Sequence, residues 1–257
     1  MEAPARWLML RELVKRDLQA RYAGSALGFL WSFVLPIWQL LLFSFVFGHV
    51  MKVSPLGERA PNFTLFLFSG LLPWLAINEG LTRSASAITD QAHMVKKLRF
   101  PSELLVISVA TAALVHEAIA ALLFGILLAG LGALSWGSLP WLLLALPLQI
   151  SLTLGLGLLL AAANVFLRDV AQLLGLVLSG WFYLTPIVYP LSYVPQRFQG
   201  AIAANPLSAL VGLYRRALFG GEGSVAGLGG LIVVSAVVLC SGWFVFRRAK
   251  PAFADLI

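Results

Sequence analysis

Residues 27–50 contain no Asp, Glu, Lys or Arg, and the leader before them carries Arg6, Arg11, Lys15, Arg16 and Arg21. An α-helix rises about 1.5 Å per residue, so about 20 apolar residues cross a hydrocarbon core roughly 30 Å thick. The same alternation of long uncharged stretches and short basic clusters recurs to the C-terminus. Only 11% of the 257 residues are charged and 60% are hydrophobic. A soluble domain has about 25% charged residues, so this chain cannot build a water-facing shell. It reads as an all-α membrane protein.

The net charge of +7 would suggest nucleic acid in a soluble protein. Here the basic residues flank apolar stretches, and topology plus anionic headgroups account for them; no nucleic-acid partner is expected. The single Cys240 excludes an intrachain disulfide and any multi-cysteine metal site. The leader is too long and too mixed in sign for a cleavable signal, so the first apolar stretch is expected to remain as an anchor.

Six spans are expected, at 28–50, 63–83, 103–131, 139–166, 171–189 and 227–246. With both termini cytoplasmic, twelve Lys and Arg fall inside: the five of the leader, Lys96, Lys97, Arg99, Arg168, Arg247, Arg248 and Lys250. Five fall outside, at Lys52, Arg59, Arg197, Arg215 and Arg216. That asymmetry sets the orientation. Pro36, Pro73, Pro147 and Pro186 sit inside expected spans, where each removes a backbone donor.

Three segments are neither span nor ordinary loop. Residues 3–22 carry Trp7, Leu10, Val14 and Leu18 at helical spacing among Arg11, Lys15, Arg16 and Asp17, the pattern of an interfacial helix. Residues 90–101 are short and basic yet hold Met94, Val95, Leu98 and Phe100. An apolar face among charges there is read either as a partner surface or as a basic loop hugging the membrane, and Pro101 stops the short helix. Residues 185–221 are broken by Pro186, Pro190, Pro195 and Pro206 but stay apolar. Asn205-Pro206 supplies a helix N-cap followed by Pro at the first helical position, and Gly220-Gly221 ends that helix. Short helices dipping into one leaflet, as a re-entrant cap or gate, are expected between spans five and six.

Catalytic signatures fail. His116-Glu117 is followed by Ala118-Ile119-Ala120, so the second His of a zinc-protease helix is missing. Neither Ser179-Gly180 nor Ser241-Gly242 has a glycine two positions before its serine, and no Gly-Lys-Ser/Thr occurs. Any ATP-driven role therefore needs another polypeptide. Few polar residues fall at membrane depth: Gln39, Asn78, Glu79, His116, Glu117, Gln149 and Asn164. Glu79 and Arg83 have i, i+4 spacing and are expected to pair. His116-Glu117 could relay protons, but no partner in another span stands out. Aromatics cluster at Phe29, Trp31, Phe33 and Trp38, at Trp74, and at Trp181, Phe182, Tyr183 and Tyr189. They are either interface belts or rings stacking loosely on sugars.

The run 16–31, opening Arg16-Asp17-Leu18-Gln19-Ala20-Arg21 and closing Gly28-Phe29-Leu30-Trp31, resembles the first motif of type-2 ABC export permeases. The resemblance is strongest to the polysaccharide subgroup, which exports O-antigen, capsule or teichoic acid. Lys96-Lys97-Leu98-Arg99-Phe100-Pro101 resembles its inner coupling segment, and Thr185-Pro186-Ile187-Val188-Tyr189-Pro190 with Asn205-Pro206-Leu207 its outer gate.

The resemblance implies one permease domain over 1–257, with interfacial helix 3–22, coupling helix 90–101 and outer gate helices 190–221. It implies a homodimer in the bacterial inner membrane, docked on two copies of a separate ABC ATPase. The chain itself binds no cofactor or metal; ATP and Mg act through the partner. Asp90, His93, Met94, Lys96, Lys97, Arg99 and Phe100 would meet the ATPase. Arg16 and Arg21 would stand at a lateral entrance for a lipid-diphosphate-linked glycan. Phe29, Trp31, Trp38, Trp74, Trp181, Phe182, Tyr183 and Tyr189 would border the path, and Pro190, Asn205, Pro206 and Tyr214 would belong to the gate. An exporter of a drug or other small lipophile shares this fold and is the competing reading.

Overall fold

The computed structural model describes residues 3–21, 24–25, 28–52, 58–97, 100–221 and 225–257. Every regular element among them is helical. Helix α1 spans Ala3–Arg21 and α2 spans Trp31–Phe43, continuing as a π-helical turn over Ser44–Val50. Then come α3 (Phe63–Ser86), α4 (Ala92–Lys97), α5 (Glu103–Gly130) and α6 (Leu142–Phe166). The remainder is α7 (Asp169–Tyr183), α8 (Gln196–Ala204), α9 (Pro206–Phe219), α10 (Leu228–Ala249) and α11 (Phe253–Leu256).

Among the described residues, five helical stretches are long and apolar enough to cross a membrane: Trp31–Val50, Phe63–Ser86, Glu103–Gly130, Trp136–Phe166 and Leu228–Leu256. They correspond to five of the six expected spans. The expected span 171–189 is instead the 15-residue α7, which at 1.5 Å per residue reaches roughly 22 Å, short of a hydrocarbon core. Its helix stops because Thr185-Pro186 follows: proline lacks the N–H and biases the residue before it away from helical geometry. Pro186 therefore lies outside any helix, whereas Pro36, Pro73 and Pro147 lie inside theirs.

Helix α3 is the hub. Asn62 caps it by accepting the Leu65 N–H at 2.9 Å, and both its flanks are covered, from Phe63 through Ala85. Helices α6 and α10 pack backbone to backbone. A Cβ built on Gly155 would meet the backbone of Val238 and Leu239 at 2.6 Å, and one on Gly242 would strike the Gly155 carbonyl. Without a water-driven collapse between helices, such small-residue contact and its dispersion energy hold the pair together.

The two ends of the bundle differ. At one end α1, α4 and α11 close over a cluster of Leu13, Ile88, Phe100, Leu104, Leu105, Phe246 and Phe253. At the other, α9 closes over α3 and α6 through Leu207, Leu210, Val211 and Leu213. The expected cap geometry of α9 is present: Asn205 accepts the Leu207 N–H at 3.1 Å, Pro206 opens the helix, and Gly220 ends it at φ +77°. A left-handed φ of that size favours glycine.

Candidate functional site: two helix junctions joined by buried polar residues

At the first junction, α1 lies against α3, α4 and α5. Leu13 is buried and Met9 and Leu10 pack beside it, while Trp7 and Leu8 stay exposed. Arg16 donates to Gln91 Oε1 at 3.1 Å and approaches Met94 Sδ at 3.7 Å. Asp17 is paired with Arg83. A small polar cavity of about 150 Å³ sits among Arg16, Asp17, Arg83, Asp90 and Gln91. Arg16 thus braces the segment leading into α4; Gln91, whose role sequence spacing did not signal, is its partner.

The apolar face expected to stand open on residues 90–101 is largely covered. Met94 and Val95 pack against α1 and the C-terminal turn, and Phe100 is buried in the same cluster. The cause is that α11 and Ile257 fold back and cover Met94, Val95 and Phe100. What remains outward is polar, with Asp90, His93 and Lys96 exposed. Asp90 accepts from Ser86 Oγ at 2.7 Å. Arg99 and the side chains of Lys97, Arg21 and Phe29 lie outside the described residues.

From this junction a line of polar side chains enters the bundle. Glu79 reaches Arg83 at 3.5 Å, the i, i+4 pair expected from spacing, and also His116 Nδ1 on α5 at 3.3 Å. The partner for His116 that the sequence did not reveal is therefore Glu79, 37 positions away. Next to it, Glu117 accepts from Gln149 Nε2 on α6 at 2.5 Å, and Gln149 Oε1 accepts from the Tyr214 hydroxyl on α9 at 2.5 Å. A cavity of about 390 Å³ between α2, α3 and α5 is lined by Trp38, Gln39, Asn78, Glu79, His116 and Glu117.

The second junction gathers most of the expected aromatic and gate residues. Trp181 Nε1 donates to Asn205 Oδ1 at 2.9 Å. The Asn205 amide nitrogen donates to Leu184 O at 3.2 Å and Thr185 Oγ1 at 3.0 Å. One asparagine thus caps α9 and binds it to the end of α7. Phe182 lies 5.4 Å from Trp74 and 5.1 Å from Tyr183, ring centre to ring centre. The Tyr189 hydroxyl donates to Tyr183 O at 2.9 Å. Trp74, Pro190 and Tyr214 are buried; Tyr183 is exposed. On α2 the rings stand apart from this group: Trp31 donates to Ser25 Oγ at 2.8 Å and Trp38 is largely exposed.

Arg215 pins the turn between α7 and α8 from beneath. It donates to Pro186 O at 2.8 Å and Ile187 O at 3.1 Å, and its guanidinium lies 3.6 Å from the Phe66 ring centre. Burial pushes this guanidinium below its ordinary range, and Glu58, lining the same cavity of about 300 Å³, opposes the shift. Glu58 itself is raised by burial, with Arg215 acting against it. Arg216 stacks on Trp141 at 4.1 Å. Counting charges identified Arg215 only as an outer cation; its structural task depends on carbonyls left free where α7 breaks.

No group of three or more His, Cys, Asp or Glu side chains among the described residues could hold a metal ion. The arrangement offers packed junctions and a polar line between them.

The sequence profile of the ABC-2 type transporter matches residues 9–219. The O-antigen export system permease protein RfbA of Myxococcus xanthus is 33% identical, over 97% of this chain and 95% of its own length. An O-antigen export permease RfbA of Klebsiella pneumoniae is 28% identical with the same coverage. The polysialic acid transport protein KpsM of Escherichia coli is 25% identical over 93% of each chain.

Proposed function

We infer the role of this chain from its membership of the ABC-2 type transporter family. It is a multi-pass membrane protein and the transmembrane subunit of a polysaccharide exporter. The reading proposed beyond this is movement of a lipid-linked, O-antigen-like glycan across the bacterial inner membrane by a homodimer, with ATP hydrolysed in two separate ATPase subunits. The single observation that carries the glycan over a small lipophile is full-length similarity to permeases named for O-antigen and polysialic acid export.

With the termini cytoplasmic, the junction of α1 and α4 faces the ATPase. Asp90, His93 and Lys96 are exposed and form the contact, with Lys97 and Arg99 assigned to it by their place in the sequence, while Met94 and Phe100 hold α4 in place from below. Arg16 and Arg21 remain the candidates for the lipid diphosphate. Arg16 would exchange Gln91 for phosphate, since a guanidinium binds phosphate more strongly than a neutral amide. Helix α7 and the turn behind it complete a sixth crossing from the inner side, with α8 and α9 as outer gate helices. Tyr183, Tyr189, Trp181 and Phe182 border the path at that end, and the exposed Trp38 and half-buried Trp31 of α2, with Phe29, border it from the other flank. Trp74 stands behind them as packing.

Deletion of this chain's gene, with that of its ATPase, tests the reading in cells. The surface glycan should vanish while lipid-linked polymer accumulates inside, and complementation should restore it. Unchanged surface glycan together with sensitivity to a toxic lipophile would transfer the chain to small-molecule export.

A further inference from the structure

The Gln149 side chain joins three helices, α5, α6 and α9. Its amide nitrogen donates to Glu117 on α5 and its carbonyl accepts from Tyr214 on α9, each at 2.5 Å. All three side chains are buried, Gln149 completely. The remaining oxygen of Glu117, Oε1, is buried and has no hydrogen-bond partner among the described residues. A polar line with one spare acceptor is a costly thing to place in an apolar interior. It makes poor sense as static glue, because apolar side chains of similar size would hold the helices at least as well.

It makes better sense at a surface that must separate. Two apolar faces resist opening in proportion to the area exposed to water. Hydrogen-bonded groups exchange one another for water at little net cost once water enters, yet leave an orphaned buried group when only one of them moves. The bond is therefore firm while the interior is dry and yields when it hydrates. Helix α9 is the element the triad holds: Asn205 ties it to the end of α7, Arg215 to the following turn and to the Phe66 carbonyl and ring on α3, and the Leu218 carbonyl to the Ser135 N–H between α5 and α6. The Tyr214–Gln149 bond adds a buried tie to α6 and, through Gln149, to Glu117 on α5.

Resting on the exporter reading above, we propose that Glu117, Gln149 and Tyr214 are positioning residues forming a polar latch that seats α9 and seals the idle conduit. None of the three contacts substrate in this assignment; they act through α9.

The test uses the chain with its ATPase partner in vesicles, without nucleotide, and reads chloride influx through quenching of an entrapped fluorophore. Tyr214→Phe and Gln149→Met should each raise the resting leak roughly three- to ten-fold, the loss of about one hydrogen bond. The double variant should leak no more than the leakier single, since both break one unit. Glu117→Gln should retain the seal, because its amide carbonyl still accepts from Gln149, whereas Glu117→Leu should lose it. Wild-type tightness in both Tyr214→Phe and Gln149→Met would overturn the proposal, as would a leak in Glu117→Gln equal to that of Glu117→Leu. Should Gln149→Met not fold, Tyr214→Phe decides alone, because it removes a single oxygen. A wild-type complex that exports glycan while these variants stay tight removes the latch only; a wild-type complex that exports none removes the exporter reading.

Discussion

Helices α2 and α3 are both long, uncharged over most of their length and equally able to cross a membrane, yet they live in different surroundings. In α3, 83% of the most apolar 18-residue window is buried within the protomer; in the corresponding window of α2, none is. Leu30, Leu41, Phe45, Val50 and Trp38 stand bare. Hydropathy identifies a solvent, the bilayer, but is blind to which apolar surface meets protein. A helix with so much uncovered surface has either lipid or a second copy of the chain against it, and the homodimer reading places a copy there. The hub helix sets the stability of the protomer, and the bare one is free to serve an assembly.

The sharpest way to break this contrast is to disturb the packed side. Gly242→Leu drives a side chain into the Gly155 backbone, so it should cost more than about 3 kcal/mol and leave little folded protein in detergent size-exclusion. A well-folded variant would mean that α6 and α10 are not in backbone contact. Arg215→Ala comes next, removing carbonyl bonds and a cation–ring contact. About 2–3 kcal/mol should be lost, read as a fall in thermal midpoint, and Arg215→Lys should recover only part because it cannot reach two carbonyls in a planar fork.

Trp181→Phe should be smaller, about 1 kcal/mol for one hydrogen bond to Asn205. Should the ring also border the conduit, Trp181→Ala with Tyr183→Ala would lower export beyond what the stability loss explains. Normal surface glycan would return both rings to the interface belt. Smallest of all is Leu41→Ala on α2, within about 0.5 kcal/mol for protomer stability. Its effect should emerge instead as a shift toward monomer in cross-linking. A midpoint drop as large as that of a substitution in α3 would erase the distinction between the two helices.

Those predictions also mark what the sequence carried. Five spans, the α9 cap at Asn205-Pro206 and the Glu79–Arg83 pair follow from local rules: uncharged length, capping chemistry and i, i+4 spacing. The helix of the expected sixth span ends early, at Tyr183, because Pro186 outweighs the apolar run around it and breaks the helix instead of kinking it. The inner segment departs for another reason. Met94 and Phe100 look exposed until α11, more than 150 positions later in the chain, folds against them. Glu79–His116 and Glu117–Gln149–Tyr214 depend on the rotation of four helices about their axes. Periodicity gives each helix a polar stripe but not the angle at which it meets its neighbour. Arg215 illustrates the same limit: its partners are carbonyls of a broken helix, which no residue type announces.

Replacing His93 and Lys96, the exposed part of α4, by Glu should weaken co-purification of the ATPase without altering insertion; full retention would remove the coupling role from that helix. The central claim, that this chain is a conduit driven by a separate ATPase, is tested most directly by reconstitution. Purified chain is placed in vesicles containing lipid-linked glycan, with and without the ATPase, and lumenal glycan is measured after adding ATP. Translocation should require both proteins and stop when hydrolysis is blocked, with no ATP turnover from the chain alone. Glycan movement or ATP hydrolysis by the chain in the verified absence of any ATPase would contradict the account.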